Sequence, residues 1–586
     1  MQRGKTLYIS DDDQIDINKN ELIVFLDKDS EKYPNKLPLL EDFTNQQSKL
    51  RGELLRFNEL ILDRIKKYFD YDDDYKYILS SSIFEKSPYK TEYAYNFFKI
   101  ILIIEYIKKY NIKEIYINSN KQIIKKFFKN FSYNNEINFI SQKKKKKFNL
   151  KKLVMKNSFL STAYIIKKEF QKIKFSILKN KQLNKNLVIS YFPNYKFNDK
   201  NEFISNYFGD ISNKLNTNHD WLFIYANDID KIKNDEKLLD EKNFKQYNFL
   251  DAYISYNDCK SLLKKINVVR KKLRKINLTD IFIYKNVDYY EILIEEWEIF
   301  LSYYLVESIV FEKKFKNFFN SKKYSNVLYL LEYQPWEQML NKTLQVSNPA
   351  CETKAITHSV FRPNLMNYYY PKNVHNCMYT SKVVASNSEF SKKMLIKNGY
   401  NSEDIKEIEA QRFNYLSKIN KVTQYENNLL IITSINFSET ATLLKIFSGA
   451  IGTISKFDNI FIKPHPFMPI DNIISSLKYF PKFKILNGNM DEALNIVSTV
   501  LVTNSSSTLL ESILYGKKTI TLFSLDTLPM PAIDKHDLLF PVTSINEMRN
   551  ILYSIDSKQQ KQNDNFLYLN HDYLKWNKFL NQEKIK

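Results

Sequence analysis

The chain has 586 residues, 44% of them hydrophobic and 15% aromatic, which suits two or three packed domains rather than a single core. Its formal charge of +22 accompanies heavy use of Lys, Asn, Ile, Tyr and Phe, and no RNA- or DNA-binding motif goes with it, so nucleic acid is not expected as a partner. Only 8 glycines, with neither a P-loop nor a dinucleotide fingerprint, exclude glycine-rich phosphate binding.

Three cysteines, Cys259, Cys351 and Cys377, lack zinc spacing and fit a reducing cytoplasm. The N-terminus has no apolar signal core and no apolar run is long enough to span a bilayer, so any membrane contact is expected to be peripheral, on the inner face.

In chain order, Leu22-Ile-Val-Phe-Leu, Tyr77-Ile-Leu-Ser and Glu114-Ile-Tyr-Ile-Asn read as buried strands, with a helical pattern over Tyr95–Tyr110. Asp72-Asp-Asp74 is set aside as a metal site, because acidic runs flanked by Tyr and Lys are ordinarily solvated; no metal is expected. From about 141 to 183 a basic segment interrupts the alternation. The run Lys143–Lys147 leads into lysines interleaved with Leu153, Phe159, Leu160, Tyr164, Phe170 and Ile177. It reads as a helical insertion whose amphipathic face either rests on an anionic membrane surface or is simply solvated. Strands resume at Leu187-Val-Ile-Ser and Leu222-Phe-Ile-Tyr, and this alternation predicts an α/β domain.

The strand-like Val327–Leu331 ends at Glu332, with Gln334, Trp336 and Glu337 following. Open α/β sheets bind ligands beyond the carboxyl ends of their strands, which makes Glu332, Glu337 and the comparably placed Glu85 candidates for chemistry. Each also has a structural reading: Glu337 in the first turn of a helix that buries Met339 and Leu340, Glu85 paired with Lys86 or Lys90. His358, followed by Ser359 and Arg362, is a fourth candidate.

A Pro-containing turn after Tyr368-Tyr-Tyr-Pro371 places a boundary near 375–382. A second βα series then runs through Val383-Val-Ala-Ser, Asn428-Leu-Leu-Ile-Ile-Thr, Ile460-Phe-Ile, Phe483-Lys-Ile-Leu, Thr499-Val-Leu-Val-Thr and Thr519-Ile-Thr-Leu-Phe. Its third strand leads into Lys463-Pro-His-Pro466, an imidazole between two prolines. Its fifth leads into Ser505, Ser506 and Ser507 at the start of a helix suggested by Leu509, Leu510, Ile513 and Leu514, where N–H groups and hydroxyls would attract an anion. Glu511 is one turn further on, within reach of ribose hydroxyls. Plain helix capping and ordinary loop chemistry are the competing readings. In the tail, Tyr573, Leu574, Trp576 and Phe579 have helical spacing and are expected to pack back on the first domain.

The Lys-Pro-His-Pro segment, the Ser-rich turn and the following glutamate resemble the His-Pro and Ser/Thr motifs of bacterial sialyl-, polysialyl- and Kdo-transferases, which use CMP-activated sugars and fold as two facing Rossmann-like domains, the GT-B arrangement. The family containing CDP-glycerol polymerases carries similar signals. Ser81-Ser-Ile-Phe-Glu-Lys-Ser-Pro-Tyr89, Leu331-Glu-Tyr-Gln-Pro-Trp-Glu337 and Thr357-His-Ser-Val-Phe-Arg362 look like patterns in surface carbohydrate biosynthesis proteins of bacteria that make O-antigen or capsule. The resemblance implies that Lys463, His465, Pro466, Ser505, Ser506, Ser507 and Glu511 hold the nucleotide. The acidic Asp/Glu-Asp/Glu-Gly motif of several sialyltransferases is absent, so the catalytic base stays open among Glu332, Glu85, Glu337 and His358.

The expected fold is therefore α/β, with two facing Rossmann-like domains: residues 1–375 on the acceptor side, carrying the basic insertion at about 141–183, and 376–555 holding the nucleotide. The tail, 556–586, returns to the first domain. The expected function is transfer of a sugar, Kdo or another nonulosonate, from a CMP-sugar donor to a glycan or lipid-linked glycan acceptor. The donor is a co-substrate and no cofactor is expected. A CDP-polyol phosphotransferase and a non-catalytic assembly protein that binds nucleotide sugar or glycan are the alternatives.

Overall fold

The computed structural model describes residues 5–11, 21–27, 33–69, 73–142, 150–198, 202–209, 218–226, 229–239, 245–418, 427–451, 457–466, 468–533, 535–555 and 566–581. The lysine run 143–147, Asp72, and residues 556–565 and 582–586 of the tail lie outside them.

Three parallel sheets carry the fold. The first contains β1 (Lys5–Ser10), β2 (Leu22–Phe25), β3 (Ile112–Asn118) and β4 (Asn138–Ser141), in the order β2-β1-β3-β4. The central sheet contains β5 (Asn186–Tyr191), β6 (Asp220–Ile224), β7 (Tyr247–Phe249), β8 (Asn326–Leu330), β9 (Glu352–Ile356), β10 (Val383–Ser386) and β11 (Ile405–Glu407), ordered β7-β6-β5-β8-β9-β10-β11. The C-terminal sheet contains β12 (Leu429–Ile432), β13 (Ile460–Lys463), β14 (Lys484–Ile485), β15 (Thr499–Thr503), β16 (Lys518–Leu522) and β17 (Leu539–Val542), ordered β14-β13-β12-β15-β16-β17. Both larger sheets start in the middle, wind outward, then return and continue on the other side. That doubly wound order creates a ligand crevice beside the first strand. The two Rossmann-like units of the GT-B arrangement are thus the central and C-terminal sheets.

Three expectations are corrected. The N-terminal region holds two sheets rather than one, and the basic helices Leu150–Lys156 and Ser158–Lys172 run between them, joining β4 to β5. Asn157 separates those helices and caps the second, its side chain accepting from the N–H groups of Phe159 and Leu160 at 3.0 Å each. Second, β10 and β11 do not open the C-terminal series. Val384 pairs with Ala355 on one side and Ile405 on the other, so the chain leaves the central sheet only after Glu407. Pro371 merely starts the short helix Lys372–His375. Third, Tyr77-Ile-Leu-Ser is the end of a 3-10 helix, Asp73–Ser80. Four buried apolar residues carry too short a period to separate strand from helical turn.

Alternation along parallel strands explains how the C-terminal sheet is covered on both faces. Leu430, Ile432, Val500 and Val502 enter one core, and Leu429, Ile431 and Leu501 enter another. The N-terminal and central sheets instead share one continuous core. Leu525, Leu528 and Met530, beyond the carboxyl end of β16, insert into that shared core. Lys99 fixes the crossing by donating to the carbonyls of Leu26 and Leu525, at 2.5 and 2.7 Å. In the tail, helix Leu574–Asn581 buries Trp576 and Phe579 in the same core, and the Trp576 indole donates to the Glu409 carbonyl at 2.9 Å.

Candidate functional site

At the carboxyl edge of the central sheet, β5, β8 and β9 are adjacent; β5 ends in Tyr191, and Glu332 and His358 stand two residues beyond the ends of β8 and β9. The Glu332 carboxylate lies 3.3 Å from His358 Nε2, accepts from the Tyr191 hydroxyl at 2.6 Å and from the Gln334 amide at 3.3 Å. Trp336 donates to the same tyrosine oxygen at 3.3 Å, fixing the phenol from behind. His358 is buried, with its ring edge-on to Tyr207 and its Nδ1 without a partner among the described residues. Burial pushes the imidazole below its ordinary 6.5; Glu332 opposes this and Arg412 reinforces it. His358 is therefore neutral near pH 7.

Why Glu332 stands where it does is written in the next few residues. Pro335 opens the helix Pro335–Ser347, and Glu337 at its third position reaches back over the preceding loop. Its carboxylate accepts the N–H groups of Gln334 (2.8 Å), Tyr333 (3.1 Å) and Glu332 (3.1 Å). Tyr333 sits at φ 57°, a left-handed conformation that costs a tyrosine about 1 kcal/mol or more and that this clamp holds in place. Glu337 is fully enclosed and committed to backbone donors, which removes it from the set of candidate catalytic groups.

Glu85 is also buried, and pairs with Lys90 at 2.7 Å. Lys90 in turn donates to Gln334 at 3.0 Å, so Glu85, Lys90, Gln334 and Glu332 form one chain of contacts from the segment after the 3-10 helix to the tip of β8. Burial raises the Glu85 carboxyl, with Lys90 and Lys86 opposing and Glu332 adding to the rise. Glu85 thus supports the site through Lys90.

The C-terminal sheet presents its own carboxyl edge. The His465 N–H donates to Thr433 Oγ1 at 3.0 Å, fastening the Lys463-Pro-His-Pro466 turn to the end of β12, and Pro466 is exposed. Partial burial and Arg412 both lower the His465 imidazole from 6.5. Lys463 points sideways and donates to the Gly488 carbonyl at 2.6 Å. The serines are spent more internally than expected: Ser505 is buried and donates to Glu439, Ser506 accepts from the Thr508 N–H at 3.3 Å, and Ser507 is buried at the start of a helix only seven residues long, Thr508–Leu514. Of the three, Ser506 alone is partly exposed. Glu511 is buried and accepts from the Tyr415 hydroxyl; burial raises its carboxyl, while Tyr415 and Arg412 oppose the rise.

Arg412 joins the two edges. It lies in the 3-10 segment Gln411–Lys418, where the chain passes between the Rossmann-like units, and its charge acts on His358 and Tyr207 of the central unit and on His465 and Glu511 of the C-terminal unit. Its side chain is exposed and makes no hydrogen bond or ion pair among the described residues. The sequence reading missed Arg412 because it sits in no strand or motif; its one signal is an arginine in a chain whose basic residues are mostly lysine. Tyr191 was findable, as the residue at the tip of a predicted strand. Glu332 and His358 are in contact, and the charge of Arg412 acts on His358, His465 and Glu511, while Lys463 is turned to the Gly488 carbonyl and Ser505 to Glu439, in a cavity of about 100 Å³ that Tyr89 and Thr91 also line.

No protein-family model matches the chain, and no curated protein matches it. Several solved structures are similar in backbone. UDP-GlcNAc 2-epimerase from Neisseria meningitidis, bound to UDP-GlcNAc, is 12% identical over 63% of this chain and 90% of its own, with a TM-score of 0.34. Anabaena HepE in complex with UDP and glucose is 12% identical over 64% and 89%, at 0.33. The lipopolysaccharide outer core galactosyltransferase WaaB is 12% identical over 63% and 90%, at 0.32.

Proposed function

We propose that the protein is a glycosyltransferase of surface polysaccharide synthesis, moving a sugar from a nucleotide-activated donor on the C-terminal unit to a glycan acceptor on the central unit. One observation carries this reading: strand-end loops from two different doubly wound sheets, one bearing Glu332 and His358 and the other His465, lie within the field of the same arginine, which has no hydrogen bond or ion pair among the described residues. A cleft that offers a carboxylate on one wall and cationic or N–H groups on the other suits displacement of a phosphate leaving group.

Glu332 takes the proton of the acceptor hydroxyl, and the acceptor oxygen attacks the anomeric carbon. The bond from that carbon to the phosphate oxygen breaks, its electron pair remaining on the nucleotide, whose charge Arg412 and the His465 loop meet. His358, Tyr191 and Gln334 hold Glu332 in place. On the strength of the Lys-Pro-His-Pro and Ser/Thr motifs we take the donor to be a CMP-linked sugar, Kdo or another nonulosonate, used in the cytoplasm.

A thermal-shift screen with CMP, CDP, UDP and GDP tests the donor, since a ligand of the native state raises the melting temperature by mass action. Stabilisation by CMP supports the proposal, and stabilisation by UDP alone overturns the cytidine assignment. Release of CMP with a new glycosidic bond distinguishes this reaction from polyol phosphate transfer, which leaves a phosphodiester.

A further inference from the structure

Away from the cleft, helices Ser158–Lys172 and Tyr256–Leu273 lie side by side and antiparallel. At one end Arg274 donates to Ser158 Oγ at 2.9 Å, with Arg270 donating to Thr162 Oγ1 at 2.8 Å nearby; at the other, Phe170 and Tyr256 meet edge to face with ring centres 5.5 Å apart. Each helix buries one stripe, Ser161, Ile165 and Ile166 in the first, Cys259, Leu262 and Ile266 in the second. The opposite arc of the first helix carries Phe159, Leu160, Tyr164 and Phe170 together with Lys167 and Lys168, all exposed, Phe159 at 79%. On the second, Tyr256 (55% exposed) and Leu263 stand among the exposed Lys260, Lys264 and Lys271.

Carboxylates are nearly absent from these two outer arcs. Glu169 is buried and pairs with Lys172 and Lys314, and Asp258 is taken by Lys313 and the Ser255 cap. A solvated helix face explains lysines but not six exposed aromatic and aliphatic side chains among them. We propose that this two-helix face docks the protein on an anionic lipid bilayer, the lysines meeting headgroup phosphates and the rings of Phe159, Tyr164 and Phe170 entering the interfacial layer. Helix Leu150–Lys156 leads directly into the face, and its Met155 lines a cavity of about 350 Å³ with Lys90 and Glu296. Docking therefore sets the membrane beside the Glu85–Lys90 pair that supports Glu332, where an acceptor on a lipid carrier would arrive; this last step rests on the transferase reading, the docking itself does not.

The test is flotation of the full chain with vesicles of phosphatidylcholine, with and without one-third phosphatidylglycerol. The expected result is co-flotation only with the anionic vesicles, reversed by 1 M salt as the screening length shrinks from ~8 to ~3 Å. Lys167→Glu, Lys168→Glu and Lys260→Glu combined should lower partitioning on the order of 100-fold or more, and Phe159→Ser with Phe170→Ser should lower it at unchanged charge. Both variants should keep the parent's melting temperature and nucleotide shift, which reports that they fold. Absence of flotation, flotation of the charge-reversed variant at the parent level, or equal binding to neutral vesicles overturns the proposal, as does capture of the face by a second copy of the chain, seen as a dimer by light scattering that the same substitutions dissolve.

Discussion

The two walls of the cleft are built to different standards. On the central wall the Glu332 loop is fixed at nearly every atom: Glu337 takes three backbone N–H groups, Gln334 and Tyr191 hold the carboxylate, and a left-handed Tyr333 survives because its neighbours leave it no alternative. On the C-terminal wall the His465 turn is held mainly through its backbone, its N–H donating to Thr433 Oγ1 and its carbonyl accepting from the Met468 N–H, and the serine loop is tied inward through Ser505 and Asn504. The difference is that between a group that must sit within a few tenths of an ångström of a reacting atom and a surface that wraps a ligand.

Four substitutions and one titration would break or sharpen that contrast. The largest effect is expected from Glu332→Gln, which keeps the shape but not the base: kcat falls about 10³-fold in a product-release assay, with nucleotide affinity and melting temperature as in the parent. Next is Glu337→Gln, which replaces an oxygen acceptor with an N–H₂ facing backbone donors. It should cost roughly 3 kcal/mol in chemical denaturation and lose activity with it; equal stability would show that the clamp holds nothing. Arg412→Ala should weaken nucleotide binding roughly 10- to 100-fold by calorimetry at low salt, without loss of stability, because its side chain is exposed and makes no hydrogen bond or ion pair among the described residues. His465→Ala should weaken it by about tenfold; unchanged affinity would remove the His-Pro turn from the donor site.

The smallest effect is in pH. His358 has a folded pKa below 6.5, so between 6.5 and that lower value the unfolded chain holds a proton that the native state does not. Its contribution to stability is complete above pH 6.5 and is lost as pH falls through that window. The melting temperature of His358→Gln should accordingly decline less than the parent's between pH 7 and pH 5, and identical slopes would place the imidazole in solvent.

Much of this molecule is legible in one dimension. Apolar runs of three to six residues marked β5, β6, β8, β12, β13, β15 and β16, because a parallel strand is buried on both faces and cannot hide its composition. Two residues beyond their tips followed at once, Glu332 and His465, whereas His358 follows β9, a strand that the sequence did not announce. What stayed hidden is of two kinds. Val383–Ser386 reads as a buried strand whichever sheet it joins, and nothing local distinguishes the two, so the boundary was placed a strand and more too early. Glu332 and Glu337 are indistinguishable by type and spacing, yet one carboxylate is aimed into the cleft and the other is consumed by its own loop.

By itself, then, the sequence determined the α/β class, many of the buried strands and some of the polar residues that follow them, since burial and periodicity are local properties. Only the tertiary structure decided that Arg412, in a connecting segment without a pattern, puts its charge within reach of two histidines 107 residues apart, and that Glu85 reaches Glu332 through Lys90 and Gln334. Coulombic and hydrogen-bonded neighbours are set by how three sheets pack, and no short-range pattern encodes that packing.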